Sequence, residues 1–222
     1  LAELGAIAAG LVHDLGNPIS GLTIQVDRLV RRAQTGDESD ILQPIERIVA
    51  ATDRLSTLVR GFMDFARERR LESAEIDVVA LVRTVAEFWG TTAAQEVVRI
   101  DVESEREPMV LRGDETQLRR VFENLVKNAA EAMQGRDGRI VIRLEYAEDG
   151  RIRVTVRDDG PGVADGTDVF RLFETTKPSG TGIGLAVAKQ IVLAHGGSVE
   201  QCNREEGGSD FVVELPVAGT PA

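Results

Sequence analysis

The sequence predicts an α-helical hairpin followed by an α+β sandwich, and three observations carry that prediction. Through residues 1–66 apolar side chains recur at alternating steps of three and four, the repeat of bundle-forming helices. From Ile76 onward, short runs that alternate apolar and polar residues, bounded by glycine turns, intersperse with amphipathic helical stretches. That mixture suits one mixed sheet covered on one face by helices. Between the two lies Arg67-Glu68-Arg69-Arg70-Leu71-Glu72-Ser73-Ala74-Glu75, charged and without either period. It reads as a hinge, so the expected division is a hairpin over 1–70, a linker over 71–76 and a second domain over 77–217.

The first helix carries its stripe on Leu4, Ala8, Leu11, Leu15, Ile19, Leu22, Val26 and Leu29. His13 lies midway between Leu11 and Leu15, so at about 100° per residue it points away from the seam and into solvent. Asp14 adjoins it, and Asn17 shares its face one turn along. Pro18 cannot donate an amide hydrogen and crowds the carbonyl of Asp14, so the helix should bend or loosen there. An exposed histidine alone is ordinary surface. A histidine, an acid and a helix breaker together read as a phosphoacceptor site, provided the rest of the chain supplies a phosphoryl donor.

Gly36 is the expected stop of this helix. Asp40 and Gln43 fit a capping box for a second helix, with Pro44 tolerated in its first turn. Its stripe is Ile41, Ile45, Ile48, Thr52, Leu55, Val59 and Phe62. Two helices of about 30 residues run about 45 Å each and leave one apolar face open. A second copy closes that face as a four-helix bundle, so a homodimer through residues 1–70 is expected.

With 222 residues, 42% of them hydrophobic, the chain can bury a core. Its net charge of −11 resides almost wholly in the second half, −10 over residues 71–222 against −1 over 1–70. That charge argues against nucleic acid as a partner. A polyphosphate bound there must be held by local backbone amides and a metal ion. No run of about 18 apolar residues offers a membrane span, so no direct membrane contact is expected of this stretch. Leu1 already lies inside the helical pattern, which suggests a piece of a longer protein with a sensor upstream. Cys202 is the only cysteine, which excludes an intrachain disulfide or thiolate metal cage and points to a reducing compartment.

In the second domain a helix is expected over 78–89, strands over 97–103 and 108–111, and a long helix opened by Asp114 and closed by Gly135 and Gly138. Residues 139–146 and 152–158 form a hairpin about Asp149-Gly150, a helix follows over 182–194, and 198–202 pairs with 211–215. Three stretches carry polar chemistry that a structural layer does not need. Asn124 and Asn128 stand four apart on one helical face, where neutral amide oxygens suit a magnesium ion that keeps phosphate ligands. In Asp158-Asp159-Gly160-Pro161-Gly162 the strand-end Asp158 can accept from the exocyclic amine of adenine, while Gly160 and Gly162 let the chain approach a flat ligand. In Thr175-Thr176-Lys177-Pro178-Ser179-Gly180-Thr181-Gly182-Ile183-Gly184-Leu185, alternate glycines run into a helix and leave amides aimed at an anion. This is neither the P-loop nor the dinucleotide fingerprint. Phe170 and Phe173 upstream read as aromatic pins of a lid, and Lys177, one of three lysines, as a phosphate contact. Singly the stretches read as a solvated helix face, a turn and a loop. Together, in this order, they form a nucleotide constellation.

On these residues the chain resembles the catalytic core of bacterial sensor histidine kinases: a dimerisation and histidine-phosphotransfer hairpin followed by an α+β sandwich of the Bergerat ATPase type. The resemblance covers nearly the whole chain. It implies His13 as phosphoacceptor, Asp14 as the acid that orients and deprotonates it, and Asn17 as positioner of water for dephosphorylating the regulator. It implies Asn128, with Asn124 beside it, as the magnesium ligand of the N box, and Asp158 as the adenine contact. Gly160 and Gly162 fall on the G1 box, Phe170 and Phe173 on the F box, and Gly180, Gly182 and Gly184 on the G2 box, with Thr176, Lys177, Thr181 and Leu185 around the nucleotide. ATP and Mg2+ are thus the implied cofactors, a response-regulator receiver domain the implied partner, and the cytoplasm the implied setting. The run Thr175-Thr176-Lys177 is similar to the nitrogen-regulation subgroup. The chain departs from the family at Asp14, where glutamate is usual, at Glu131, where a basic residue is frequent, and at Leu172 and Glu174 in the lid. Gly16 inside a helix costs about 1 kcal/mol against alanine. Two rivals come from other classes. A Bergerat ATPase clamp needs a water-activating carboxylate where this chain has Asn124, and a non-catalytic phosphotransfer or scaffold dimer would let the glycine loops decay, whereas here they are intact.

Overall fold

The computed structural model describes residues 2–35, 41–66, 71–90, 98–133, 137–177 and 180–217, and the side chains of these except 2–15, 17, 60 and 64–66. The side chains of His13, Asp14 and Asn17, the Gly36 stop and the Asp40 cap therefore lie outside the described residues. Contacts divide the chain into two compact units, Leu1–Arg67 with Arg171–Gly184, and Glu68–Phe170 with Leu185–Ala222.

In the first unit α1 (Ala2–Thr35) packs along α2 (Leu42–Ala66). Pro18 sits inside α1 without ending it. The inward faces correct the expected stripes. Among the described side chains of α1 the partly covered ones are Gly16, Pro18, Gly21, Leu22, Gln25, Leu29 and Arg32; Ile41 just before α2 is partly covered too, and within α2 so, partly or fully, are Pro44, Ile48, Ala51, Leu55, Leu58, Gly61 and Phe62. Among the expected stripe residues whose side chains are described, Ile19 and Val26 of α1 and Ile45, Thr52 and Val59 of α2 thus belong to a neighbouring face, with Ile19 50%, Val26 46%, Ile45 42% and Val59 43% exposed. Val30, Val49 and Met63 are exposed as well, so each helix carries one seam turned inward and a second apolar seam that the single chain leaves open.

The second unit begins earlier than the sequence suggests. β1 (Ala74–Asp77) takes up the last residues of the expected linker, because Ile76 is buried against Leu111 in an antiparallel pairing with β3 (Val110–Gly113). Asp77 then caps α3 (Val78–Gly90), its Oδ1 accepting from the amides of Val79 at 3.1 Å and Met109 at 3.2 Å. The main sheet runs β2 (Val98–Ser104), β4 (Gly138–Tyr146), β5 (Ile152–Asp158), β7 (Ser209–Leu215), β6 (Ser198–Asn203), with β2 parallel to β4 and every other pairing antiparallel. The turn about Asp149-Gly150 closes the β4–β5 hairpin, Gly150 at φ +81°.

Period two sorts the sheet residues. Ile140, Ile142 and Leu144 of β4, Ile152, Val154 and Val156 of β5, and Phe211, Val213 and Leu215 of β7 are all buried. They pack with Leu118, Val121, Phe122, Leu125, Val126 and Ala129 of α4 (Glu115–Ala132), whose spacing is one helical face. On the opposite sheet face the outward residues form cross-strand ion pairs: Arg139 with Asp101, Arg143 with Glu103, Arg153 with Glu214 and Arg157 with Asp210. Each pair on β5–β7 is directly opposite in register. Hydrogen bonding to Asp210 and Glu214 raises the pKa of Arg157 and Arg153, keeping this face charged and paired.

One side chain ties α4 to α5 (Gly184–Ala194). His195, just past α5, places Nδ1 2.7 Å from the carbonyl of Ile191 while its Nε2 accepts from the amide of Asp114 at 3.0 Å. A carbonyl can only accept and an amide only donate, so the ring is neutral with its hydrogen on Nδ1. Asp114 in turn caps α4 through Gln117 at 3.1 Å. We expect His195→Ala to lower the unfolding free energy of this unit by about 1–3 kcal/mol, since both partners lose their bond. Urea unfolding followed by Trp89, the only tryptophan, measures it; a loss below about 0.5 kcal/mol means that water replaces the ring without cost.

Candidate functional site

Asp158 is the fourth inward residue of β5, after Ile152, Val154 and Val156, so the same alternation that builds the core carries a carboxylate into it. It is 1% exposed. Its Oδ1 accepts from the amide of Gly160 at 2.8 Å and from that of Ser209 at 3.3 Å. Burial pushes the Asp158 carboxyl above the usual carboxylate range, against the pull of those two amides; the charges of Asp159 and Asp210 push the same way as burial.

The backbone around it leaves no room for larger residues. A Cβ on Gly160 would lie 2.8 Å from Asp158 Oδ1 and 3.0 Å from the Cβ of Ala132, and one on Gly208 2.0 Å from the Asp158 carbonyl oxygen. Gly162 and Gly208 hold φ of +79° and +86°. Ala132 stands four residues beyond Asn128 and eight beyond Asn124 on α4, so the turn at Gly160 meets the face that carries both asparagines. Asn124 donates its Nδ2 to the carbonyl of Arg120 at 2.9 Å, which aims its Oδ1 away from the helix backbone.

The structure thus brings together Asp158, Gly160 and Gly162 and sets them against the helix of the asparagine pair. Sequence reasoning missed four residues here: Asn203, Arg204, Gly208 and Ser209. Arg204 donates from Nη1 to Asp159 Oδ1 at 3.2 Å and to the Asp158 carbonyl at 3.4 Å. The missed signal was Gly207-Gly208-Ser209, a glycine pair opening a strand; the hairpin expected over 198–202 and 211–215 stops short of it at both ends.

The glycine loop and lid fall mostly in the first unit. Phe173 holds φ +69°, alone among the described non-glycine residues in the left-handed region, and its amide donates to the Gly182 carbonyl at 2.9 Å. Gly182 has φ +64°, and a Cβ there would meet the Phe173 carbonyl carbon at 2.4 Å. Thr175 Oγ1 accepts from the amide of Lys177 at 3.1 Å, and the Gly180 amide donates to the Lys177 carbonyl at 3.1 Å. The helix expected from Gly182 begins at Gly184, so Gly182 stays in the loop and Leu185 lies in the first turn of α5. Thr176 and Thr181 are loop residues between these points. Phe170 belongs to the second unit, edge-on to Phe211 at 6.2 Å between centroids, with Lys189 Nζ 5.3 Å from its ring centre.

A family model described as His Kinase A (phospho-acceptor) domain matches residues 3–70, and one described as histidine kinase-, DNA gyrase B- and HSP90-like ATPase matches 113–219. The sensor histidine kinase ZraS of Escherichia coli K12 is 30% identical over 98% of the chain and 46% of its own length. The chain spans about half the length of the first curated relatives it matches. Among solved structures, the catalytic domain of histidine kinase ThkA is 32% identical over 66% of the chain and 97% of that domain, TM-score 0.61. The crystal structure of ThkA with the response regulator protein TrrA matches 97% of the chain and 62% of the ThkA chain at 30% identity, TM-score 0.77.

The raised Asp158 sets a pH dependence. The folded chain holds this proton more tightly than the unfolded chain, so its contribution to stability is full below the ordinary carboxylate value and is lost as pH rises through the raised one. Asp158→Asn keeps an oxygen for the Gly160 and Ser209 amides and removes the titration. We expect its unfolding free energy, read by Trp89 fluorescence in urea from about pH 4 to pH 7, to fall less with pH than the native chain's. Parallel pH profiles would sink the assignment.

Proposed function

The chain belongs to the histidine kinase family, and on that premise we propose that it is the catalytic core of a two-component sensor kinase. It moves the γ-phosphoryl group of ATP to His13 and thence to an aspartate of a response-regulator receiver domain. The observation that carries the reading is Asp158, a carboxylate buried at the mouth of a glycine turn. A buried acid at a strand end suits a purine that brings an exocyclic amine. That amine supplies the carboxylate with a further hydrogen-bond donor.

The other site residues follow from their donor chemistry. Gly180, Gly182 and Gly184, with the amides of Thr181 and Leu185 at the start of α5, hold the phosphates, joined by Thr176 and Lys177. The conformations of Gly182 and Phe173 support this, since a left-handed glycine lets the backbone curl where a side chain cannot fit. Asn128 and Asn124 offer neutral oxygens on one helical face, a donor set that fits a magnesium ion already carrying phosphate oxygens. When bound, that ion neutralises charge on the phosphates. Asp14 accepts the proton from Nδ1 of His13, so the lone pair of Nε2 attacks the γ-phosphorus in line as the bond to the ADP oxygen breaks. Asn17 positions water for hydrolysis of the regulator's aspartyl phosphate.

Residues 1–70 form the phosphotransfer and dimerisation hairpin in this reading, and the segment through 217 the ATP-binding domain. The open seam of Ile19, Val26, Ile45 and Val59 supports a homodimer closed as a four-helix bundle. Among the described residues no helix is long and apolar enough to cross a membrane. In this reading the consumption of ATP puts the work of these residues in the cytoplasm. The run Thr175-Thr176-Lys177 favours the nitrogen-regulation subgroup.

Incubation with γ-labelled ATP and magnesium tests the reading. Acid-labile, alkali-stable label is expected on the native chain and none on His13→Gln. Gly182→Ala should label at least about tenfold more slowly, because it forces an L side chain into the left-handed region. Undiminished label on His13→Gln excludes His13 as the acceptor.

A further inference from the structure

We propose that Asn203 is a positioning residue for nucleotide binding, holding the Gly160–Val163 turn in its binding shape from the edge of the sheet. The proposal deepens the reading of Asp158 as the adenine contact and rests on it.

β6 is one of the two edge strands of the main sheet, and its alternation sets Val199, Gln201 and Asn203 on one face. Val199 is buried there, but two positions later the sheet core has ended and the turn after β5 takes its place. Asn203 bridges to that turn across 40 residues of sequence. Its Oδ1 accepts from the amide of Val163 at 2.8 Å, and its Nδ2 donates to the carbonyl of the same residue at 2.6 Å. One side chain therefore satisfies both main-chain groups of Val163, as a neighbouring strand residue would. The orientation of the amide is fixed, since the Val163 amide can only donate and its carbonyl only accept. Gln201 holds it there, donating to the same Oδ1 at 3.0 Å.

Two further contacts show that the turn is pressed onto this strand end. A Cβ on Gly162 would lie 3.1 Å from Asn203 Oδ1 and 3.4 Å from the Gly208 carbonyl, so the glycine at φ +79° is what lets the amide come close. Arg204, next along, grips the other arm of the turn at the Asp158 carbonyl and the Asp159 carboxylate. Between those grips residues 159–163 belong to no helix or strand. Their shape depends on side chains, and Asn203 supplies the only hydrogen bonds from another element that the described residues show at Val163. A turn loosened there must be reordered when the nucleotide binds, and the cost appears in affinity.

The test is calorimetric titration of the full chain with ADP and magnesium, paired with autophosphorylation kinetics. Asn203→Ala is expected to weaken binding about tenfold and raise the KM for ATP by a like factor, with kcat at saturation and the melting temperature nearly unchanged. Asn203→Asp keeps the acceptor for the Val163 amide and loses the donor to its carbonyl, so it should fall between the two. Affinity of Asn203→Ala within twofold of a native chain that binds ADP overturns the proposal alone; a native chain that does not bind overturns the Asp158 reading first. Should Asn203→Ala fail to fold, hydrogen exchange of the Val163 amide in the nucleotide-free native chain decides. A protected amide supports the clamp, and exchange at the rate of an open loop rejects it.

Discussion

A carboxylate in the inward series of a core strand is the constraint on which the rest of the second unit depends. The alternation of β5 cannot bury Val154 and Val156 without also turning Asp158 inward. Burial disfavours its charge, so the fold must supply donors, and it does so from backbone rather than side chains: the amides of Gly160 and Ser209. Backbone donors can come that close only where Cβ atoms are missing, which explains Gly160 and Gly208 on either side. A single polar residue at the end of a strand thereby dictates the composition of two loops far apart in sequence.

The same logic separates stability from activity across the molecule. The outer face of the sheet is laced with directly opposed arginine–carboxylate pairs that are half-buried and reached by solvent, so each contributes little individually. They keep a broad β surface soluble. At the proposed nucleotide site the choices run the other way: a buried acid with a raised pKa, glycines at positive φ, and a phenylalanine in the left-handed region. A buried acid and a non-glycine residue in the left-handed region cost stability and persist where the surrounding structure over-determines them. Asp158 and Phe173 fall within the two stretches given nucleotide roles, which supports those roles independently of the family match.

The first unit shows a helical pattern serving two interfaces. A stripe at steps of three and four can be drawn through either of two neighbouring faces, and the sequence reading mixed them. Pro18, Leu22 and Leu29 face α2, while Ile19 and Val26 do not. Periodicity reports that a helix has an apolar side. It does not report how many partners share it.

What the sequence by itself determined is local: the existence and type of the helices and of every strand but β1, the hairpin about Asp149-Gly150, the Asp114 cap, the glycine-lined loops and the family. Each depends on residues within a few positions of one another, where backbone preference and period act directly. The linker boundary, the seam each helix turns inward, the burial of Asp158 to 1% and the clamp of Asn203 on Val163 were decided by the tertiary structure alone. In these cases the deciding partner is separated in sequence, Leu111 for Ile76, Ser209 for Asp158 and Val163 for Asn203. Only a folded sheet, through its register, brings such residues within hydrogen-bonding or packing distance.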